Sequence, residues 1–280
     1  MLPVTTIRAN APAKVNLTLH VTGQRADGYH LLDSLVAFAD LGDTLDIAAG
    51  EGLTLTVEGP RAAGVPVDGS NLVMRALVLM GAQDMAMTLT KRLPAAAGIG
   101  GGSSDAAAAV RAAARLMGRD LDAELIAALA GLGADVPVCL TPQTQRMEGV
   151  GERLTLLAPL PEIHVLLVNP GIHHPTPQVF KALVQKENAP LPAIPAFRTV
   201  DDVIGWLAAT RNDLEPPAIA GAPVIGEVLA ALRAAPFSRM SGSGATCFAL
   251  FHTAAAAASY GEALRARAPG WWVEAAKLLP

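Results

Sequence analysis

Polar and apolar positions alternate first over residues 14–21, where Val15, Leu17, Leu19 and Val21 share one face and Lys14, Asn16, Thr18 and His20 the other. A period of two predicts a strand, and residues two apart point the same way, so Lys14 and Asn16 stand side by side. A solvated face is the ordinary fate of such polar positions. The same reasoning predicts strands at 31–39, 44–48, 53–57 and 85–91, with Leu53, Leu55 and Val57, then Met85, Met87 and Leu89, on the inward faces. Helical spacing predicts a helix from Asn71 to about Gly81, a second from Ser104 to Leu116, and a third capped by Asp122 with Leu125, Ile126 and Leu129 inward. Later, 164–168 reads as a buried strand and 176–180 as a loop entering a helix. Helices are predicted at about 200–209 and 223–234, a strand at 247–251, and a final helix and strand close the chain. Pro159 and Pro161 mark a seam, giving two domains, 1–158 and 159–280. Strands segregated from helices in this way indicate an α+β fold.

Within this pattern residues 94–109 follow neither period. Four of the five positions 98–102 are glycine (Gly98, Gly100, Gly101, Gly102), which bury no side chain and so serve backbone geometry. Ser103, Ser104 and Asp105 are good N-cap and first-turn residues, and the alanine run behind them favours helix. A glycine loop feeding a helix N-terminus offers unpaired N–H groups and the positive end of the helix dipole to an anion, which suits a phosphate. A flexible turn is the plainer alternative. The Walker pattern is excluded, because no lysine occurs between Lys91 and Lys181. A dinucleotide fingerprint would want glycine where Ser103 stands.

Composition narrows the chemistry. The chain has 280 residues, 51% of them apolar, enough for a real core. The apolar surplus is mostly alanine and is interrupted well before the ~18 residues a membrane span needs. No secretion signal opens the chain, and Cys139 and Cys247 form no Cys-x-x-Cys pair, so buried thiols in a reducing cytoplasm are expected. A formal net charge of −4 gives no bulk attraction to nucleic acid or anionic lipid. Neither a nucleic acid polymer nor a membrane is expected as a partner, and an anionic ligand must be held locally.

Other candidates lie on loops. Tyr29 and His30 end a glycine-flanked turn, where an aromatic and an imidazole can stack on and read a ring or simply anchor the loop. Asp135 precedes Val136-Pro137; proline can only begin a helical turn, so Asp135 stands at or before a helix start, and a plain N-cap is the simplest role there. A second small-residue loop, Met240-Ser241-Gly242-Ser243-Gly244-Ala245-Thr246, leads into the strand at 247–251.

Lys14 and Asn16 in APAKVNL, the loop PAAAGIGGGSSDAA and the late loop MSGSGAT together resemble the three motifs of the GHMP kinases. The segment TGQRADGYHLLDSLVAFADLGDTL and the stretches GADVPV and PGIHHPTPQVFK resemble the branch serving non-mevalonate isoprenoid synthesis, which phosphorylates the 2-hydroxyl of an alcohol bearing a cytidine diphosphate group. The resemblance covers nearly the whole chain. It implies a two-domain GHMP kinase fold: an N-terminal ATP-binding domain with the glycine loop feeding a helix, and a C-terminal α/β domain on the substrate side.

The resemblance also implies roles. Asp135 matches the catalytic base and Lys14 the lysine that stabilises developing charge. Pro94, Ala95, Ala96, Ala97, Gly98, Ile99, Gly100, Gly101, Gly102, Ser103 and Ser104 match the ATP phosphate loop; Ser241, Gly242, Ser243 and Gly244 belong to the second glycine loop. Tyr29 and Phe180 match aromatics flanking the cytosine ring, His30 the residue bonding its edge, and Asn16 and Thr176 polar substrate contacts. Asn71 would lie near the nucleotide. ATP is the implied phosphoryl donor; magnesium is expected with it, though the sequence shows no dedicated metal cage. Family members often carry glycine where Ala96 and Ala97 stand, so the front of this loop should be stiffer. A sibling such as homoserine kinase, or a non-catalytic metabolite-binding regulator on the same fold, is the alternative.

Overall fold

The computed structural model describes residues 6–280. In chain order the first elements are β1 (Ile7–Asn16), β2 (His20–Gln24), β3 (His30–Ala49), β4 (Leu53–Glu58), α1 (Leu72–Leu79), β5 (Met85–Thr90), α2 (Gly101–Met117), α3 (Ala123–Leu132) and α4 (Val136–Leu140). Then follow β6 (Gln145–Gly149), β7 (Arg153–Leu156), β8 (His164–Asn169), α5 (Thr176–Ala182), α6 (Val200–Ala208), α7 (Glu215–Gly221), α8 (Val224–Leu232), β9 (Phe237–Met240), β10 (Cys247–Phe251), α9 (Ala254–Arg267) and β11 (Trp272–Lys277). The chain forms two compact units. One comprises Met1–Ala13, Gly42–Ala95 and Gly100–Pro142, described from residue 6 onward; the other comprises Lys14–Leu41, Ala96–Ile99 and Gln143–Pro280.

In the first unit β4 runs parallel to β5, with Leu53 opposite Met85, and α1 supplies the crossover between them. β5 pairs antiparallel with the end of β3, Thr44 opposite Thr90. Asn71 caps α1 by accepting from the Val73 N–H, and Asp122 caps α3 by accepting from the Leu125 N–H, as their side-chain chemistry predicts. Helix α2 packs against α1 and α4. Its buried face is almost all alanine, Ala106–Ala109 and Ala112–Ala114, and such small side chains let neighbouring backbones approach closely.

In the second unit β3 pairs with β2, His20 opposite Asp33, and with β6, Val36 opposite Gln145; β7 continues from β6. A separate antiparallel sheet has the order β11-β8-β10-β9. Its strands β8 and β10 are buried almost throughout, and the core joins Leu166, Val168, Cys247, Ala249 and Phe251 to Ile225, Val228 and Leu232 of α8 and Leu264 of α9.

Four expectations change. The strand predicted over 14–21 is broken after Asn16 and resumes at His20, and its polar face is not solvated: Lys14, Asn16, Thr18 and His20 are all buried. The strands predicted at 31–39 and 44–48 are one strand, β3. Gly42 lies within it, at a point where a Cβ would collide with the backbone of Ala11 and Pro12. Helix α2 begins at Gly101, three residues before Ser104, with left-handed Gly100 (φ 65°) at its N-cap position. Strands β6, β7 and β9 and helix α7 are additional elements that the sequence pattern did not predict.

Candidate active site

The first unit holds the helix-opening half of the glycine loop. The first intrahelical bond of α2 is donated by the Ser104 N–H to the Gly100 carbonyl at 2.8 Å, so the N–H groups of Gly101, Gly102 and Ser103 lie ahead of the hydrogen-bonded ladder. Gly102 is exposed, and a Cβ built on it would meet nothing within 4 Å. This is open, unpaired backbone at the positive end of a 17-residue helix. Ser104, in contrast, is buried and its hydroxyl donates to the Pro12 carbonyl at 2.8 Å.

Two carboxylates and one ammonium flank this loop. The Lys91 Nζ donates to Asp105 Oδ2 at 2.6 Å and also to Asp43 Oδ2. Asp43 Oδ1 accepts the N–H groups of Arg92 and Leu93. All three side chains are at most 5% exposed. Burial pushes the Asp105 carboxyl up to about 7, against the pull of Lys91 and with the repulsion of Asp43 added. Burial alone would lower the Lys91 ammonium, but Asp105 and Asp43 outweigh it and hold it above its ordinary value. The sequence reading did not single out this trio. Its only sequence signal is that Lys91 and Asp105 bracket the glycine stretch, because Asp43 comes from 48 residues away.

Asp135 occupies the N-cap position of α4, half-buried, with Pro137 following. Its side chain makes no capping hydrogen bond, so the simple capping role does not account for it. Asn71 is spent on structure: besides capping α1 its amide donates to the Pro66 carbonyl at 2.6 Å.

In the second unit the remaining candidates gather around residues 240–246. The Asn16 N–H donates to Ser241 Oγ at 3.0 Å, and Ser241 Oγ donates to the Gly98 carbonyl at 3.2 Å. The Thr246 N–H donates to the Ala97 carbonyl at 3.1 Å, and the Lys14 N–H to the Ile99 carbonyl at 2.9 Å. Gly98 has a φ of +73°, and a Cβ on it would strike the carbonyl oxygens of Ser241 and Gly244; both its conformation and this close approach demand glycine. Ala96, just ahead, has a φ of 49°, a left-handed alanine where glycine would be unstrained. Asn212, which sequence reasoning missed, donates from Nδ2 to the carbonyls of both Met240 and Gly242 at 2.8 Å. Lys14 is 3% exposed and Asn16 1%, and the Asn16 Oδ1 is buried without a hydrogen-bond partner.

Two of the ring candidates meet in the same unit. His30 stacks on Phe180 with ring centroids 4.9 Å apart, and Tyr29 is 65% exposed beside it in the chain. Burial, then the charge of Lys186, holds His30 below its ordinary value, so the imidazole is neutral at pH 7. Its Nε2 is buried without a partner. The Thr176 and Ser243 hydroxyls share a hydrogen bond of 2.7 Å, tying the start of α5 to the second glycine loop.

In the first unit, a bare helix N-terminus opened by glycines is suited to the phosphate of a small-molecule phosphotransferase's nucleotide. The family model described as the GHMP kinases N terminal domain matches residues 71–142, and that of the GHMP kinases C terminal matches residues 191–270. The chain belongs to the GHMP kinases, enzymes whose phosphoryl donor is ATP. It is 58% identical over 267 residues to 4-diphosphocytidyl-2-C-methyl-D-erythritol kinase of Dinoroseobacter shibae, covering 94% of this chain and 92% of that protein. The enzyme of the same name from Ruegeria pomeroyi is 53% identical, with 98% of this chain and 99% of the relative covered. A crystal structure of 4-(cytidine 5'-diphospho)-2C-methyl-D-erythritol kinase matches with a TM-score of 0.77 at 35% identity, over 98% of this chain and 100% of that one.

Proposed function

We propose that the chain transfers the γ-phosphoryl group of ATP to the 2-hydroxyl of 4-diphosphocytidyl-2-C-methyl-D-erythritol, a step of the non-mevalonate isoprenoid route. The observation that carries the choice of substrate is the pairing of His30 with Phe180. A neutral imidazole with one buried, unpartnered nitrogen beside an aromatic face is suited to a flat heterocycle with donors and acceptors on its edge. Cytosine then lies against Phe180 and Tyr29, with His30 bonding its edge, while Asn16 and Thr176 meet the rest of the substrate.

For the chemistry, Asp135 takes the proton of the 2-hydroxyl as its oxygen attacks the γ-phosphorus. The new O–P bond forms as the bond to the β,γ-bridging oxygen breaks, and ADP leaves. Lys14 stabilises the charge that develops. Pro94 to Ser104 form the phosphate loop, and Ser241 to Gly244 close on the substrate from the domain at 159–280, the domain at 1–158 holding the nucleotide. A loop of glycine, alanine and serine neutralises little of a triphosphate, so magnesium accompanies the nucleotide. Such an ion would be held mainly by ATP oxygens and water.

A coupled ADP-release assay offering this alcohol, homoserine and mevalonate separately tests the reading. Turnover of the cytidine-bearing alcohol is expected; turnover of homoserine alone moves the chain to a sibling activity, and turnover of none to a binding role.

A further inference from the structure

Lys91 ends the segment that leads into the glycine loop, and Asp105 stands in the first turns of the helix that leaves it. They stand 14 positions apart in sequence, yet one ion pair of 2.6 Å joins them. The leading end is fixed a second time, since Asp43 grips the N–H groups of Arg92 and Leu93 and the Lys91 N–H donates to the Glu58 carbonyl at 2.8 Å. A Cβ built on Gly101 would lie 3.8 Å from Lys91 Nζ, so the cluster sits directly behind the first residue of α2.

Resting on the reading of residues 94–104 as the nucleotide loop, we propose that Lys91 is a positioning residue that staples the two ends of that loop, and that Asp105 takes up a proton when the polyphosphate binds. The charge count supports the second half. Two carboxylates share one ammonium out of water, leaving one excess negative charge behind the N–H groups that would hold phosphate. The Asp105 Oδ1 is buried with no hydrogen-bond partner, and an ionised oxygen so placed is costlier to bury than a neutral hydroxyl. A polyphosphate adds like charge nearby, which favours the protonated form. With the free carboxyl already pushed up to about 7, that added charge acts within the physiological range.

Few other charges face the group. Of the helices packed on α2, α1 carries only the exposed Arg75 and α4 carries none between Val136 and Leu140, with Asp135 at its start. On α2 itself Arg111 donates to the Cys139 and Asn10 carbonyls. The Arg92 side chain reaches the Thr44 hydroxyl.

Isothermal titration of the full chain with a non-hydrolysable ATP analogue and excess magnesium, at pH 7.5 in two buffers of different ionisation heat, tests this. The proteins are wild type, Asp105→Asn and Lys91→Met. Asp105→Asn is expected to bind the analogue but to take up about half a proton less than wild type. Lys91→Met is expected to weaken nucleotide binding about tenfold or more and to raise KM for ATP while leaving KM for the alcohol within about twofold. Equal proton uptake in wild type and Asp105→Asn, or wild-type affinity in a folded Lys91→Met, overturns the proposal; the proton difference decides it even where Lys91→Met does not fold. An analogue that wild type itself does not bind overturns the nucleotide-loop reading as well, an outcome distinct from the other two.

Discussion

His30 lies over Phe180 with ring centroids 4.9 Å apart and planes inclined by 29°. A heterocycle bound at this pair gains stacking on one ring and an edge hydrogen bond from the other. Base stacking on an aromatic side chain contributes about 1–3 kcal/mol, so Phe180→Ala is expected to raise KM for the cytidine-bearing alcohol roughly 5- to 150-fold, with KM for ATP unchanged. His30→Ala is expected to act in the same direction. Steady-state kinetics with each substrate varied in turn checks this, and equal rises in both KM values would assign the pair to packing instead.

Asp135 stands at the start of α4, where the proposed reaction uses it as the base that takes the alcohol's proton. Asp135→Asn is expected to keep nucleotide and alcohol affinity in calorimetry while turnover falls at least ~100-fold. Turnover near that of wild type would remove Asp135 from the mechanism.

Asp33 supplies a pH-dependent part of the stability. Arg146 donates to both of its oxygens, at 2.8 and 2.7 Å, and the Leu191 N–H adds a bond of 2.9 Å. Burial would raise the carboxyl, but Arg146 and Leu191 outweigh it and hold it below its ordinary value. A depressed carboxyl stabilises the fold fully above the unfolded-chain value of about 3.9 and loses that contribution as pH falls through the folded value. The stability gap between wild type and Asp33→Asn in urea melts should therefore be wide at pH 7 and shrink toward pH 3. A gap of constant width would show that the carboxylate's charge is not what matters.

Arg239 is buried and donates to the carbonyls of Leu17, Leu207 and Thr210 and to the Thr210 hydroxyl. Burial lowers its guanidinium to about 10, with Glu215 opposing, so it stays charged at neutral pH. Arg239→Met is expected to destabilise the protein by about 2–4 kcal/mol, because several buried carbonyls lose a charged donor. Arg239→Lys should recover little, since a single ammonium lacks the planar fork that reaches all four oxygens. Full rescue by lysine in urea denaturation would contradict that geometry.

The sequence was most legible where one residue's chemistry acts locally. Asn71 and Asp122 announced the starts of α1 and α3, and alternation marked β4 and β5. The single strand across 39–44 was not legible, because the close passage of Ala11 that demands glycine at position 42 leaves no local signal. Lys14 to His20 have the polarity of a surface face but are buried; burial of polar groups depends on partners such as Ser34 for Asn16 and Arg211 for Thr18, which no local window contains. Both glycine loops were visible as loops. The supports behind them, Lys91 with Asp43 and Asn212 with Met240 and Gly242, come from distant segments and were not.

The second glycine loop, residues 240–246, is buried at every position and tied down by Asn16, Ala97, Gly98, Asn169 and Asn212. Its ordering entropy is spent during folding rather than at the moment of encounter. If the substrate meets this loop as proposed, it finds a template already set, and capture there would be governed by diffusion and orientation instead of by a rearranging backbone.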